Sequence, residues 1–368
     1  MGRETYAGNV AFEVRGHLGL ITLNRPKALN SLTQLMCESI IVQLADWAED
    51  DAVTQVLVRG AGDRGLCAGG DIVALYQDMV SQQPQDGGPL LPEGTPAYQA
   101  HFGGEDFLTA EYVMNLATAR FPKPYIALMD GVVLGGGIGV SAHGSHRIVT
   151  ERTRAGMPET MIGFSPDAGG SYLYGRAPGR LGLHAGMTSL HVGAADALHM
   201  GLADVQIDSS SIDELTQALT EEHVDQVLPR FSVSPEPAPL AEAAVWIEDA
   251  YSAETVEEIM ERLLELSEEH PGAGQALDVL RAASPTMVKV AHRAISLAAE
   301  LSLEAALSQE FTIAVHALRS HDFREGIRAQ VVDKDKSPRW RPAAVTEVDE
   351  DLLAHYFTPV PGKLLTLL

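Results

Sequence analysis

Cysteine is scarce in this sequence, which contains only Cys37 and Cys67 among 368 residues. Two thiols cannot form a disulfide framework and are too few for a thiolate metal site, so we expect no metal and a reducing, cytoplasmic location. Long apolar runs are also lacking, since none approaches the ~18–20 residues that cross a bilayer. Residues 1–16 lack the apolar core of a signal peptide, which agrees with a cytoplasmic protein.

Basic residues are scarce as well. The chain has 26 Lys and Arg against 50 Asp and Glu, a formal net charge of −24. This field repels nucleic acids and anionic membranes, and no basic stripe interrupts it, so we expect neither as a partner. An anionic small molecule would have to be bound by local hydrogen-bond donors.

The order of apolar and polar residues indicates an α/β fold. Alternation over residues 9–26 predicts a β-hairpin, and the apolar stripe of residues 31–51 predicts a helix that Ser31 can cap. A strand, a glycine loop and a helix then recur at 67–80 and at 124–145. Alternating strands and helices of this kind are typical of an α/β domain.

Changes in composition along the sequence predict three regions. Residues 81–104 are rich in proline and glycine and predict a long loop within the first region. Beyond about residue 208, acidic amphipathic helices predominate, with a proline-rich linker at 232–243 and an extended, proline-punctuated stretch at 333–357. We therefore predict a catalytic core at 1–208, a C-terminal helical region with an acidic helical insert at 209–345, and a tail at 346–368.

Two glycine clusters, at residues 67–71 and 134–139, lie where a strand turns into a helix. Glycine lets the backbone approach a ligand closely, and the first N–H groups of a helix have no internal partner. One such cluster could cradle a phosphate, whereas two could together bind a carbonyl oxygen as it gains negative charge. Tight packing between helix and strand is the structural alternative for each cluster.

Two acids, Glu159 and Asp167, lie in an apolar stretch with no Lys or Arg between them. Burial among apolar neighbours raises the pKa of a carboxyl group, so that it can act as an acid or base near neutral pH. The structural alternatives are that Asp167 caps the helix that follows it and that Glu159 binds amides of its own turn.

Five segments of the sequence are informative when taken together. They are LNRPKALNSL, CAGGDI, KPYIALMDGVVLGGGIGVS, MPETMIGFSPDAGGSY and HDFREGIRAQVVDKDKSPRW. They resemble the enoyl-CoA hydratase/isomerase (crotonase) superfamily, and the last two are more specific to its branch of 3-hydroxyisobutyryl-CoA hydrolases. The resemblance covers roughly residues 8–205 and 284–345, and it implies a crotonase-like spiral of ββα units followed by a C-terminal helical region.

The resemblance implies hydrolysis of an acyl-CoA thioester, namely 3-hydroxyisobutyryl-CoA in valine breakdown. It implies catalysis by Glu159 and Asp167, with the backbone amides of Ala68 and Gly136 as the oxyanion hole. No cofactor would be bound permanently, coenzyme A would enter as part of the substrate, and a homo-oligomer is left open. The implied substrate contacts are Glu111, Gly69, Gly70 and Asp71, and the implied coenzyme A contacts are Arg25, Lys27, Ala28, Leu29 and Ile72.

One departure from the superfamily pattern bears on the reaction. Hydratases of the superfamily carry a second catalytic glutamate at the place of Gly139, and two opposed glutamates hold the water that is added across a double bond. The sequence therefore favours a hydrolase. An isomerase, which needs only one carboxylate, and a non-catalytic acyl-CoA binding protein are the alternatives. Asp130 stands where hydrolases often have histidine.

Overall fold

The computed structural model describes residues 4–7, 9–82 and 96–367. An eight-stranded sheet runs in the order β1-β2-β3-β4-β6-β8-β11-β12, and a four-stranded sheet in the order β10-β9-β7-β5. The strands are Glu4–Ala7 (β1), Val10–Arg15 (β2), Leu18–Leu23 (β3), Gln55–Gly60 (β4), Gly65–Cys67 (β5), Tyr125–Met129 (β6), Val132–Leu134 (β7), His146–Thr150 (β8), Arg154–Gly156 (β9), His191–Val192 (β10), Val205–Ile207 (β11) and Ser232–Val233 (β12).

Helices surround both sheets, and no helix in the described ranges is long and apolar enough to cross a membrane. They are Gln34–Glu49 (α1), Ile72–Gln82 (α2), Pro96–Gln99 (α3), Gly103–Ala119 (α4), Gly136–Ala142 (α5), Gly170–Tyr174 (α6), Leu181–Thr188 (α7), Ala194–His199 (α8), Ile212–Ala218 (α9), Val224–Phe231 (α10), Pro239–Tyr251 (α11), Val256–Leu266 (α12), Pro271–Ala282 (α13), Pro285–Ala298 (α14), Leu303–Ala317 (α15), His321–Ile327 (α16) and Glu350–His355 (α17).

A repeated ββα unit links the two sheets. The central strands β4, β6 and β8 are parallel, and each is followed by β5, β7 or β9 of the small sheet, which are also parallel to one another. A helix follows each pair. Stacking three such units brings the turns after β5, β7 and β9 to neighbouring positions. The predicted α/β class, with its spiral of ββα units, is confirmed.

The large sheet is buried on both faces. Side chains alternate along a strand, so Leu18 and Leu20 of β3 contact the layer of α9 and α10, whereas Ile21 and Leu23 contact the layer of α1 and α4. Parallel strands covered on both faces have nearly continuous apolar sequences, which is why strands in this part of the chain could be predicted. The hairpin predicted for residues 9–26 is present as β2 and β3.

Four local predictions were wrong. Thr33, not Ser31, caps α1, because its side chain accepts the N–H of Met36. The predicted loop at 81–104 contains the end of α2, all of α3 and the start of α4, and its residues 83–95 lie outside the described ranges. The stretch predicted as extended contains α17, whose first turn is capped by Asp349. The predicted linker at 232–243 also contains the start of α11. The three-region division of the chain stays a prediction.

The C-terminal helices support one turn of the core. Helix α16 packs against the 3-10 turn Glu159–Ile162, and Phe323 stacks on Phe164 with ring centroids 4.5 Å apart and planes 20° apart. Backbone touches backbone here, because a side chain on Gly326 would overlap the carbonyl oxygen of Ile162. The C-terminal motif therefore fixes the position of the turn that begins at Glu159.

We expect Gly326→Ala to lower the free energy of unfolding by about 1–3 kcal/mol, because the added methyl group would force α16 away from the turn. Gly274→Ala is the matched control, since it also lies inside a helix but an added Cβ there meets only Ser267 at 3.4 Å. Removing glycine from that helix should stabilise the protein by about 0.5–1 kcal/mol. Denaturant unfolding measures both changes, and equal effects would contradict the close contact.

Candidate active site

The two glycine clusters meet in space. Strand β5 leads into one and its parallel neighbour β7 leads into the other. A Cβ placed on Gly135 would lie 3.5 Å from the Cα of Gly69, and a Cβ placed on Gly69 would lie 3.8 Å from the nitrogen of Gly136. Because Gly69 has a φ of 102° and Gly135 a φ of 53°, a side chain at either position would also be strained. The predicted convergence of the clusters is present.

The amide predicted for the first cluster is the wrong one. The N–H of Ala68 donates a hydrogen bond to the carbonyl oxygen of Leu29 at 3.0 Å. This bond ties the glycine cluster to the preceding loop. An N–H that is already donated within the fold is not free to bind a substrate oxygen. The prediction that Ala68 supplies an oxyanion-hole amide is therefore corrected.

Gly70 supplies the free amide instead. Leu32 donates its N–H to the carbonyl of Gly69 at 2.8 Å and accepts the N–H of Asp71 at 2.9 Å, which is the pattern of a parallel bridge between Leu32 and Gly70. The carbonyl of Gly69 and the N–H of Gly70 belong to one trans peptide group and point in opposite directions, so the N–H of Gly70 points away from Leu32. Among the described residues, no acceptor binds this N–H or that of Gly136, the first residue of α5.

Glu159 lies directly over the second glycine cluster. It is the first residue of the 3-10 turn that follows β9, and its Oε1 lies 2.7 Å from the position of a Cβ on Gly135. The residue is 6% exposed, and its Oε2 has no hydrogen-bond partner within the described part of the chain. The carboxyl group thus faces the space beside the two amides.

Glu111 reaches the same space from α4. Its Oε1 occupies the place that a side chain on Gly136 would take, so the glycine is required for this approach. The residue is 2% exposed, and no described group forms a hydrogen bond with that oxygen. Two carboxyl groups therefore lie against the backbone of consecutive glycines.

Asp167 completes the group but does not cap the helix after it. Its Oδ2 accepts the hydroxyl hydrogen of Tyr112 at 2.8 Å. The N–H groups at the start of α6 are bound by a different carboxylate, that of Glu310 on α15, which accepts from Gly169 at 2.7 Å and from Ser171 at 2.9 Å. The capping alternative for Asp167 is therefore wrong, and its carboxyl group is available to the site.

Burial is the main cause of the raised pKa values in this cluster. It raises the pKa of Asp167 to about 7, although the hydrogen bond from Tyr112 acts in the opposite direction. Burial also raises the pKa of Glu159 and of Glu111 well above the ordinary range, and the nearby Asp167 carboxylate raises both further. No Lys or Arg in the described ranges forms an ion pair with these three acids. A carboxyl group with a raised pKa binds a proton more readily than an exposed one.

There is no room for a second glutamate at position 139. A Cβ on Gly139 would lie 2.8 Å from the Cβ of Ala168 and 2.9 Å from both amide atoms of Asn115. Asn115 is fully buried, and these two atoms have no partner among the described groups. Helices α4 and α5 pack too closely here for any longer side chain.

Arg25 and Asp71 bind each other. The Nη2 of Arg25 contacts Asp71 Oδ2 at 2.8 Å, its Nη1 contacts the carbonyl of Ser31 at 2.7 Å, and Asp71 Oδ1 accepts the N–H of Ala74 at the start of α2. These bonds hold the loop after β3 against the first glycine cluster. The structure gives both side chains a structural role, and it lends no support to their predicted contacts with coenzyme A and substrate.

The rest of the predicted coenzyme A site is an exposed edge. Lys27 and Ala28 lie on the exposed 3-10 turn Pro26–Ala28, and Leu29 and Ile72 are half-buried beside it. Arg64, which the sequence analysis did not identify, donates to the carbonyl oxygens of Pro26 and Lys27. A second cation therefore stands next to Lys27 in an otherwise acidic chain. Binding of coenzyme A by this edge stays a prediction.

Sequence reasoning also missed Tyr112 and Glu310. Tyr112 directly follows Glu111, but nothing local relates it to Asp167, which is 55 residues away. Glu310 is separated by 141 residues from Gly169, whose amide it binds. The sequence marks Glu310 only as an acid inside an apolar helical run, and it does not indicate which groups that acid binds.

Comparison with known proteins agrees with this architecture. The family described as enoyl-CoA hydratase/isomerase matches residues 18–357. The chain is similar to the mitochondrial 3-hydroxyisobutyryl-CoA hydrolase of Xenopus laevis, with 36% identity over 96% of this chain and 89% of that protein. The human protein of the same name is 34% identical over 95% and 89%.

Two solved structures resemble it over nearly their full length. A carnitinyl-CoA dehydratase from Mycobacterium thermoresistibile has a TM-score of 0.87 and 44% identity, covering 98% of each chain. An enoyl-CoA hydratase from Rhodobacter sphaeroides has a TM-score of 0.86 and 34% identity, covering 98% of this chain and 100% of that one.

We expect Asp167→Asn to stabilise the protein more at pH 8 than at pH 5. Because the pKa of Asp167 is raised from 3.8 to about 7, the folded protein keeps a proton that the unfolded chain has released. The contribution of the Asp167 carboxyl group to the free energy of unfolding is present in full below about pH 4 and is lost as the pH rises to about 7. At about 1.4 kcal/mol per pH unit between pH 5 and the folded-state pKa, the advantage of the variant should grow by roughly 3 kcal/mol between the two pH values.

Thermal unfolding of both proteins across this range measures the difference. The Tm of the variant minus that of the unaltered protein should increase steadily with pH. Two parallel Tm curves would show that Asp167 is not a buried acid with a raised pKa.

Proposed function

The chain belongs to the enoyl-CoA hydratase/isomerase family, and on that premise we propose that it hydrolyses 3-hydroxyisobutyryl-CoA to 3-hydroxyisobutyrate and free coenzyme A. One observation carries the proposal. Three buried carboxyl groups, Glu111, Glu159 and Asp167, gather at two glycine bends that offer free amides, and no cation of the described residues pairs with them. The site thus combines donors for an oxyanion with groups that can activate water.

The amides of Gly70 and Gly136 stabilise the reaction's negative charge. The thioester oxygen accepts a hydrogen bond from each, and these bonds strengthen as the carbonyl carbon becomes tetrahedral. Fixed donors in a site without bulk water need no reorganisation during the reaction. Loss of one donor from such a pair typically raises the barrier by about 3–4 kcal/mol.

Glu159 drives cleavage of the carbon–sulfur bond. As a nucleophile, its carboxylate attacks the thioester carbon and forms a mixed anhydride, the thiolate of coenzyme A leaves, and water then hydrolyses the anhydride. As a general base, it takes a proton from the water that attacks the same carbon. Either route consumes one water and releases one acid and one thiol.

Asp167 and Glu111 orient the substrate hydroxyl and the hydrolytic water. Asp167 keeps one oxygen on Tyr112 and leaves the other for a ligand, and Glu111 has an oxygen without a partner in the described part of the protein. A hydroxyl group and a water are the partners that such acceptors lack. The burial of unpaired acids, which opposes folding, is then offset when substrate binds.

Addition or removal of water across a double bond is the second candidate, because the two similar solved structures are named a dehydratase and a hydratase. That reaction needs two opposed glutamates in this superfamily. Gly139 stands at the second position, and Ala168 and Asn115 leave no space there. An isomerase or a non-catalytic binding protein would need neither a buried Asp167 nor a Glu111 oxygen that has no partner among the described residues. The geometry therefore favours hydrolysis.

The wider setting follows from the same proposal. The reaction would belong to valine breakdown, with coenzyme A entering only as part of the substrate and no permanently bound cofactor. The cytoplasmic location stays a prediction from the sequence, which leaves a homo-oligomeric state open.

We expect Glu159→Gln to lower the rate of thiol release from 3-hydroxyisobutyryl-CoA by at least about a hundredfold, because an amide neither attacks nor accepts a proton. Asp167→Asn should lower it by about ten- to a hundredfold. Glu222→Gln on the surface is the control and should be unchanged. Release of free thiol, followed with a thiol reagent, measures all four proteins.

The same assay separates the candidate reactions. An enoyl-CoA substrate offered in parallel should yield neither thiol nor hydrated product. Full activity in both acid variants would remove the catalytic assignment, and hydration or isomerisation without free thiol would replace the hydrolase with the second candidate.

We also expect strong discrimination against isobutyryl-CoA, which lacks the 3-hydroxyl group. Without that hydroxyl, the buried acceptors of Asp167 and Glu111 stay unpaired in the complex, so kcat/KM should fall at least about a hundredfold. Asp167→Asn should reduce the ratio of kcat/KM for 3-hydroxyisobutyryl-CoA to kcat/KM for isobutyryl-CoA. Equal kcat/KM values for the two thioesters would contradict the assigned hydroxyl contact.

A further inference from the structure

The short helix α6 is capped by an acid that comes from a distant element. Glu310 on α15 accepts the N–H of Gly169 through Oε2 at 2.7 Å, and through Oε1 the N–H of Ser171 at 2.9 Å and its hydroxyl at 2.5 Å. Glu310 is buried, and three donors therefore saturate it. Nothing in this arrangement involves the proposed substrate directly.

A nearer acid could have taken the same donors. Asp167 precedes Gly169 by two residues, and an aspartate side chain readily accepts the N–H two residues further along, which is the usual local capping bond. Aspartate is among the preferred residues before a helix. In this structure, however, Asp167 binds Tyr112 at 2.8 Å. Two carboxylates thus compete for the amide of Gly169.

The backbone between them is held in one conformation. Ala168 has a φ of 53° and Gly169 a φ of 78°, both left-handed, and the ring Nε2 of His143 binds the carbonyl of Ala168 at 2.9 Å. Left-handed backbone is unfavourable for alanine, so neighbouring contacts must maintain it. The bonds to Glu310 are among those contacts.

We propose that Glu310 is a positioning residue: by binding the N–H groups at the start of α6, it keeps the carboxylate of Asp167 on Tyr112 and in the active site. Without it, Asp167 turns to the freed N–H of Gly169 and leaves Tyr112. The effect on catalysis rests on the proposed function, whereas the effect on the position of Asp167 does not.

The test is Glu310→Gln, which keeps the shape of the side chain but turns one acceptor into an N–H donor that faces a backbone donor. Asp196→Asn is the matched control. Asp196 on α8 is a buried acid that accepts the N–H of Leu240 at the start of α11 at 2.8 Å, far along the chain. Both changes remove a distant cap, but only the first lies next to Asp167.

Crystal structures of the variants give the first readout. In Glu310→Gln, the distance between Tyr112 Oη and the nearest Asp167 oxygen should exceed hydrogen-bond range, with Asp167 bound to the N–H of Gly169. In Asp196→Asn, the 2.8 Å bond between Tyr112 and Asp167 should persist. An unmoved Asp167 in Glu310→Gln would overturn the proposal, whether or not the protein hydrolyses thioesters.

Coupling of rates gives the second readout. If Glu310 acts through Asp167, the kcat of Glu310→Gln should fall to within about threefold of that of Asp167→Asn, and the double variant should be no slower. Asp196→Asn should lower only the Tm. If the two substitutions instead lower kcat by factors that multiply in the double variant, Glu310 has a general structural role and the proposal is overturned. An unaltered protein without thioesterase activity would refute the proposed function, and the crystallographic readout alone would then decide.

A milder variant serves if Glu310→Gln does not fold. Ser171→Ala removes only the hydroxyl bond to Glu310, and it should lower kcat severalfold without a comparable change in KM. Reversal of that loss in a Ser171→Thr variant, which restores a hydroxyl, supports the proposal. A kcat that Ser171→Ala leaves unchanged would count against it.

Discussion

Burial of acids against bare glycine backbone is the constraint on which this structure depends. Glu159 and Glu111 approach so closely that side chains at Gly135 and Gly136 would collide with them. No cation offsets their desolvation in the described ranges, so burial raises the pKa of both carboxyl groups. The apolar core supplies the stability that this arrangement opposes. The raised pKa values of these acids are thus obtained at the expense of stability.

The C-terminal helices pack against the segments that carry these acids. The turn that begins at Glu159 has no regular partner strand, and α16 lies against it with backbone in contact with backbone. Ser284 donates its N–H to Thr160 of the turn at 3.2 Å and its hydroxyl to Asp322 of α16 at 2.6 Å. Helix α15 supplies Glu310. The C-terminal motif, which is far from the site in sequence, therefore lies against the turn that carries Glu159.

Features set by local forces could be predicted from the sequence. Periodicity predicted the hairpin and the recurring order of strand, glycine loop and helix, the family resemblance implied the ββα units, and an apolar setting without nearby cations identified Glu159 and Asp167. Prediction failed where distant groups decide the outcome. The amide of Ala68 is taken by Leu29, some 40 residues away, which moves the free donor to Gly70. Local preference also allowed Asp167 to cap the following helix, but Glu310 of α15 binds those N–H groups instead.

The central claim is that one thioester oxygen is bound by two specific amides while Glu159 faces the same carbon. A crystal structure of the Glu159→Gln variant with 3-hydroxyisobutyryl-CoA bound tests it most directly. The account predicts the thioester oxygen within about 3 Å of the nitrogens of both Gly70 and Gly136, with residue 159 beside the carbonyl carbon. A thioester oxygen bound elsewhere, or a residue 159 remote from that carbon, would contradict it.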